Sequence, residues 1–151
     1  MRYFAYGVNI DPRTMGQVSP DARELGLGRL TGFRLIFNVY STRWKGGGAN
    51  LEPDSDAHVW GVVWEVPDGD GPKLDTFVGH PTFYRQETVQ VQLGGTSVDC
   101  LTYRVAHQHG FVRPDDAYLN MLRSAGRQQG LPPEALDQLE RAAEPPYPRI
   151  D

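Results

Sequence analysis

Three side chains of this 151-residue chain could move protons in catalysis. Asp75 and His80 lie on either side of Val78, and Glu52 follows a run of three glycines. An imidazole can act as a base near neutral pH, and a carboxylate can accept and return a proton. Each also has a structural alternative: Asp75 could brace its loop, His80 could pack against its neighbours, and Glu52 could be solvated.

Metal and thiol chemistry have less support in the sequence. His107 and His109 form a His-x-His pair, and Asp115 or Asp116 could add a carboxylate. This spacing is common by chance, and a full set of ligands is not visible. Cys100 stands in an apolar stretch, which is typical of a buried small hydrophobe rather than a nucleophile. We therefore expect no metal and no cofactor.

Composition narrows the class of protein. A net charge of −4 and a pI near 5.5 do not favour a nucleic-acid surface. No apolar stretch approaches the ~20 residues that cross a bilayer, and no secretory signal is recognisable. One cysteine excludes an internal disulfide. We expect a single domain, residues 1–151, that is cytoplasmic, a monomer or homodimer, and a binder of a small molecule, not of nucleic acid or membrane.

The elements that must position these residues are strands first and helices last. Val59–Val66 is almost continuously apolar, which predicts a strand buried on both faces, whereas Lys45–Asn50 is expected to be a loop because of its glycines. Tyr118, Met121, Leu122 and Ala125 have helical spacing, and a second helix is expected after Pro132 and Pro133. This order indicates an α+β fold.

Several motifs in order resemble the gamma-glutamylcyclotransferase family. They are Tyr3-Phe4-Ala5-Tyr6-Gly7-Val8-Asn9, Gly46–Asn50, Val59–Trp64, Leu74–His80, Gly130-Leu131-Pro132 and Glu144–Tyr147. The resemblance covers nearly the whole chain. It implies a small mixed β-barrel with flanking C-terminal helices and a pocket at one mouth of the barrel.

Two positions depart from the family pattern. The first motif usually reads Tyr-Gly-Ser-Asn, and Val8 replaces the Ser. The loop usually reads Leu-Asp-x-x-Glu-Gly, and Val78 replaces the catalytic Glu. In the family reaction, an α-amine attacks its own side-chain carbonyl and releases an amine and 5-oxoproline. A carboxylate that moves the protons contributes roughly 10²–10⁴-fold, and valine cannot do this.

The resemblance also implies which residues bind the substrate. The turn would present backbone N–H groups to a carboxylate, the loop would line the pocket, and the final tyrosine would close over it. The implied binding residues are Tyr6, Gly7, Val8, Asn9, Ile10, Val78, Gly79 and Tyr147. The alternative for the turn is that it merely ends a strand, with Asn9 making a local backbone bond.

Three functions follow from these observations. The first is a divergent enzyme that promotes a cyclisation or rearrangement of a small, partly apolar metabolite mainly by orienting it, with secondary metabolism as a natural setting. The second is a pseudoenzyme that only binds a small molecule or regulates a partner. The third is a true cyclotransferase in which Glu52 or His80 has replaced the missing acid–base group, with Asp75 as a further candidate.

Overall fold

The computed structural model describes residues 1–107 and 109–145, and its centre is a closed five-stranded β-barrel. Around the barrel the strands follow the order β1-β3-β2-β4-β5. The strands are β1 (Arg2–Ala5), β2 (Arg23–Ser41), β3 (Gly46–Glu65), β4 (Tyr84–Leu93) and β5 (Thr96–Val105). The helices are α1 (Pro12–Val18), α2 (Gly71–Val78), α3 (Asp116–Gln128) and α4 (Pro133–Ala142). The α+β barrel expected from the family resemblance is confirmed.

The long antiparallel pair β2 and β3 forms most of the barrel wall. Strand β1 pairs antiparallel with β3 and meets β5 in parallel at Tyr3 and Leu101, while β2 meets β4 at Gly28 and Arg29. Three irregularities in the β2–β3 register bend these strands, as β-bulges do. Bending lets two strands of about twenty residues curve around a small barrel.

The glycine run does not form a loop, so that expectation was wrong. Gly46 to Gly48 begin β3 and pair with β2. The run lacks side chains because another segment crosses it: a Cβ on Gly47 would lie 1.9 Å from the carbonyl oxygen of Val112. The Gly47 N–H donates to the Arg113 carbonyl at 2.8 Å. The glycines do allow a close backbone approach, but the group that approaches them is another segment of the same chain.

The helices begin and end at residues suited to those positions. Asp115 caps α3 by accepting a hydrogen bond from the Ala117 N–H at 3.0 Å. Gly79 ends α2 in the left-handed conformation, with φ of 80°. Both C-terminal helices predicted from the sequence are present. Helix α1, which was not predicted, is capped by Asp11, whose side chain accepts a hydrogen bond from the Arg13 N–H at 3.0 Å.

Apolar side chains fill the barrel and its contacts with α3 and α4 in three clusters. Tyr6 and Leu35 pack against two of them and so join the barrel interior to the cluster at the C-terminal helices. Cys100 is buried, as expected, and burial raises the pKa of its thiol to about 11. Within the described residues, no three His, Cys, Asp or Glu side chains lie where they could hold a metal ion. None of the described helices is long and apolar enough to span a membrane.

Candidate functional site

A cavity of about 290 Å³ opens between the end of β1, the C-terminal end of α2 and the chain that links β2 to β3. The turn after β1 and the end of α2 therefore face the same space. Six of the chain's seven tyrosines line it. They are Tyr3, Tyr6, Tyr40, Tyr84, Tyr103 and Tyr118.

The turn after β1 contributes Tyr6, Gly7, Val8 and Asn9 to the lining. Val8 begins a short 3-10 turn, Val8–Ile10, whose first N–H groups have no acceptor inside the turn. Ile10 is not among the lining residues and is buried instead. This turn places backbone donors at the edge of the cavity, beside the isopropyl group of Val8.

Asn9 makes hydrogen bonds to residues outside its own turn through both its side chain and its backbone. Its Nδ2 donates to the Tyr3 hydroxyl at 3.1 Å, and its backbone carbonyl accepts from the Trp64 indole at 2.9 Å. Its side chain is buried, and among the described residues its Oδ1 has no hydrogen-bond partner. Asn9 therefore has an acceptor to spare at the cavity wall.

Val78 and Gly79, at the C-terminal end of α2, also line the cavity. Asp75 lies one helical turn before Val78 and so on the same face of α2. It does not line the cavity. Its Oδ1 accepts hydrogen bonds from the Tyr103 hydroxyl at 2.6 Å and from the Gln86 side chain. The Tyr103 side chain therefore lies between Asp75 and the cavity.

His80 and Glu52 are not among the residues that line the cavity. The His80 ring packs edge-on against Tyr103, with 6.2 Å between ring centroids, and its Nδ1 accepts from the Gln86 N–H at 3.3 Å. Glu52 pairs across the strands with Arg34, whose Nε donates to it at 2.7 Å. Of the sequence candidates, Asp75 and His80 come together around Tyr103, and Glu52 lies apart. Tyr147 lies outside the described residues.

The tyrosine hydroxyls differ in what they already bind. Tyr84 donates to the Ala49 carbonyl at 2.6 Å, and Tyr6 donates to the Tyr103 carbonyl at 2.5 Å. In contrast, the Tyr118 oxygen accepts from the Ala49 N–H at 3.4 Å, and the Tyr3 oxygen accepts from Asn9. Apart from the exposed Tyr40, Tyr3 and Tyr118 are therefore the lining tyrosines whose protons bind no acceptor among the described residues.

Burial keeps these tyrosines neutral. It raises the pKa of Tyr3 and of Tyr118 to about 12, with weaker opposing effects from Asn9 and the Ala49 backbone. The pKa of Tyr6 and of Tyr84 is also raised, again chiefly by burial. For Tyr103, burial is the main cause of a raised pKa, and the hydrogen bond to Asp75 adds to it. At neutral pH all five are hydrogen-bond donors or acceptors, not anions.

Among the described lining residues, Arg43 is the one side chain that carries a charge at neutral pH. The described part of the chain contributes no aspartate, glutamate or histidine to the lining. The site can therefore shape, orient and hydrogen-bond a ligand, but the groups that touch the ligand include no ready base. Tyr3, Tyr84, Tyr103 and Tyr118 were not predicted to form the site, since they come from four separate elements with no common spacing.

Solved structures with this fold are similar along almost the whole chain. A gamma-glutamyl cyclotransferase is 28% identical, with a TM-score of 0.88 over 99% of this chain and 92% of its own. An uncharacterised protein from Homo sapiens is also 28% identical, with a TM-score of 0.87 over 99% and 91%. YkqA from Bacillus subtilis is 25% identical, with a TM-score of 0.82 over 95% of this chain and 54% of its own. The barrel and its cavity thus define a gamma-glutamyl cyclotransferase-like protein.

The family follows from the sequence itself. The model of the AIG2-like family matches residues 58–139, which is more than half of the chain. The chain belongs to the AIG2-like family. No curated protein sequence is significantly similar to it.

Proposed function

We propose that this chain is a divergent gamma-glutamylcyclotransferase-like enzyme that promotes a cyclisation or rearrangement of a small, partly apolar metabolite. The observation that carries the proposal is the lining of the cavity. Val8 and Val78 replace the polar residues of the family pattern, six tyrosines contribute to the rest of the wall, and the described lining includes no carboxylate or imidazole. A cavity of this kind favours a ligand with apolar surface and a few hydrogen-bonding atoms.

The free protons of Tyr3 and Tyr118 define what the site would do chemically. Both hydroxyls lie in the cavity wall, and their pKa values of about 12 keep them protonated at neutral pH. A neutral hydroxyl donor held in place can polarise a carbonyl and stabilise the negative charge that develops on its oxygen. Each of the two oxygens is already held by one donor, that of Tyr3 by the Asn9 Nδ2 at 3.1 Å and that of Tyr118 by the Ala49 N–H at 3.4 Å.

Because the described lining residues include no base, the protonation state of the substrate's attacking group is restricted. A substrate amine that is protonated at neutral pH needs a group to remove its proton, and none of the described lining residues is suited to that. A neutral nucleophile, such as a hydroxyl or an amide nitrogen, needs no prior deprotonation to be oriented for attack. The cavity would then contribute mainly by holding both ends of one molecule in a reactive geometry, which can supply several kcal/mol.

Incubation with a metabolite mixture, followed by mass spectrometry, tests this proposal. We expect one or a few small compounds to be consumed, with products that are isomers or have lost water or an amine. Tyr118→Phe should slow consumption by about tenfold or more, as loss of a positioned donor does. Tyr40→Phe alters an exposed rim residue and is the matched control. Binding without consumption of any compound would instead support a protein that only binds small molecules.

One contact favours a second function, a cyclotransferase with a relocated acid–base group. Asp75 lies 2.6 Å from the Tyr103 hydroxyl, and Tyr103 lines the cavity. A substrate proton could pass to the Tyr103 oxygen while the Tyr103 proton passes to Asp75, and the reverse steps would return a proton to the leaving nitrogen. This relay would replace Glu52 and His80, which do not line the cavity.

Release of 5-oxoproline separates the two functions. With gamma-glutamylalanine as the probe, the divergent enzyme should release negligible 5-oxoproline. The relay requires clear release that falls about 10²-fold or more in both Asp75→Asn and Tyr103→Phe, the size of effect expected for general acid–base catalysis. Glu52→Gln changes a carboxylate of the barrel surface and should leave any release unchanged.

A further inference from the structure

An outer groove of about 750 Å³ adjoins the tyrosine-lined cavity. It runs between α1, α2 and the turn formed by residues 42–45. Arg43, Trp44, Thr76 and Phe77 line both the cavity and the groove, so these four form the boundary between them. The cavity alone is at the small end of the range for ligand sites. A ligand that fills it would therefore extend past this boundary.

The boundary is made by one weak contact between the turn and α2. The Arg43 guanidinium lies over the Phe77 ring, with its central carbon 4.3 Å from the ring centroid. On the other side, Trp44 stacks on Tyr118, with 5.2 Å between centroids and 15° between planes. A cation–π contact at an exposed site is weak, so Arg43 can turn from Phe77 toward an anion without much loss, while Trp44 holds the turn in place.

The charged residues of the groove indicate which kind of anion it would bind. In the part of the chain that the structure describes, its lining includes Arg43 and Lys73 and no aspartate or glutamate, although the protein as a whole carries a net charge of −4. Lys73 already faces Asp70 at 3.5 Å. No carboxylate of the described residues lies within salt-bridge distance of Arg43. One uncommitted guanidinium matches one singly charged planar anion, and its geometry suits a carboxylate.

We propose that the outer groove is a second binding subsite for a carboxylate at the distal end of the substrate, and that Arg43 binds it. The inference rests on the proposed function in one respect: the reacting part of the same molecule lies in the cavity. The substrate class is then a small metabolite with an apolar reacting part at one end and a single carboxylate at the other. Arg43 determines specificity for that carboxylate and takes no part in bond making.

A matched pair of probes tests the subsite by binding alone. N-benzoylglycine has an apolar ring for the cavity and a carboxylate for the groove, and N-benzoylglycinamide differs by having a neutral amide in place of the carboxylate. We expect wild-type protein to bind the acid about tenfold more tightly in calorimetric titrations, since a positioned Arg–carboxylate pair contributes about that factor. Added salt should reduce the preference.

Two variants make the result specific. Arg43→Gln should abolish the preference for the acid and leave the dissociation constant of the amide unchanged. Lys45→Gln removes a neighbouring cation of the same turn that lines neither space, and it should keep the preference. Both positions are exposed, and thermal midpoints would show that both variants are folded.

The outcomes separate this inference from the proposed function. Equal affinity of wild-type protein for acid and amide would overturn the subsite, even if both bind in the cavity, and so would a preference that survives Arg43→Gln. An acid that binds through Arg43 without perturbing the NMR signals of Val78 and Tyr118 would keep the subsite and argue against the cavity as its neighbour. Failure of both probes to bind at millimolar concentration would overturn the subsite as stated.

Discussion

Val8 and Val78 both line the cavity, together with six tyrosines, and each brings methyl groups to its wall. The Asp75 carboxylate does not line the cavity and is hydrogen-bonded to Tyr103, which does. A glutamate at position 78 would lie one helical turn from Asp75 and at the C-terminal end of α2. Burial, the like charge of Asp75 and the helix dipole would all raise the pKa of that carboxyl group.

Restoring both family residues should therefore increase 5-oxoproline release more than restoring either one alone. Val78→Glu alone should recover little 5-oxoproline release from gamma-glutamylalanine, because the substrate's polar head still faces Val8. Val8→Ser with Val78→Glu should exceed either single variant by about tenfold, a small part of the effect of a positioned acid–base group. Full activity from Val78→Glu alone would show that the rest of the cavity never diverged. Inactivity of all three variants would favour a cavity rebuilt for another substrate.

The buried tyrosines predict a loss of stability in alkaline solution. Tyr118 has a pKa of about 12 in the folded protein and about 10 in an unfolded chain. Its stabilising effect is complete below pH 10 and is lost as the pH rises, because the unfolded chain releases the proton first. Between pH 10 and pH 11, this should reduce the free energy of unfolding by about 1 kcal/mol for Tyr118, and by a similar amount for Tyr3.

Urea unfolding at pH 8, 10 and 11 measures this effect. Tyr118→Phe should lose about 1 kcal/mol less than wild type between pH 10 and pH 11, because it has one buried hydroxyl fewer to ionise. Below pH 9 the two proteins should show parallel pH dependence. An identical alkaline loss in both would mean that the Tyr118 hydroxyl is not as buried as the structure shows.

At the scale of elements, the start of β3 determines how the cavity is closed. Gly46 and Gly47 lie against the backbone of residues 112–114, which leads into α3. Gly48 and Ala49 line the cavity directly after them, and Tyr118 of α3 contacts Ala49. The glycines therefore allow the segment before α3 to pack tightly enough to bring Tyr118 to the cavity.

A single methyl group should disturb this packing. In Gly47→Ala, the added Cβ would lie 1.9 Å from the Val112 carbonyl oxygen, so one of two backbone segments must move. We expect a loss of about 3 kcal/mol or more in the free energy of unfolding, at the upper end of the range for overpacking.

Gly16→Ala is the matched control for that variant. Gly16 is in α1, and an added Cβ there would meet no atom within 4 Å. Alanine is favoured over glycine in a helix by roughly 0.5–1 kcal/mol, so this variant should be neutral or slightly more stable. Equal stability of the two alanine variants in chemical denaturation would contradict the close approach at Gly47.

At the scale of the whole molecule, barrel and helices share one core. Phe37 and Ala49 of the barrel pack in one cluster with Leu119, Leu122 and Leu139 of the two C-terminal helices. Tyr6 joins that cluster to the barrel interior. Isolated helices of 13 and 10 residues are marginally stable in water. The stability of α3 and α4 therefore depends on their packing against the barrel.

Unfolding should therefore be a single cooperative transition. Far-UV circular dichroism reports on the helices and strands, and tryptophan fluorescence reports on Trp64 in the barrel, on Trp60 beside α4 and on Trp44 beside α3. The two probes should give coincident urea curves with the same midpoint. An earlier loss of helical signal, with barrel fluorescence still native, would show that the helices form a separate unit and would contradict the expectation of one domain.

Local pattern was sufficient to predict the types of most elements. Helical spacing around Tyr118 and the continuous apolar run before Val66 depend on neighbours along the chain, and the structure shows the elements they predicted. The resemblance of ordered motifs supplied the barrel, which no local pattern could specify. Local pattern failed at Gly46–Gly48, since glycine in sequence indicates freedom of the backbone and not which distant segment uses it.

The residues that line the cavity were decided by tertiary structure. Glu52 faces outward because Leu51 beside it is fully buried and successive side chains of a strand point to opposite faces, a conclusion that required knowing this stretch is a strand. Asp75 lies behind Tyr103 because β5 brings that tyrosine across α2, 28 residues away in sequence. The sequence by itself determined that positions 8 and 78 are both valine. Only the closed barrel, which brings together residues from separate strands and helices, decided that these valines line one cavity with tyrosine hydroxyls and one arginine.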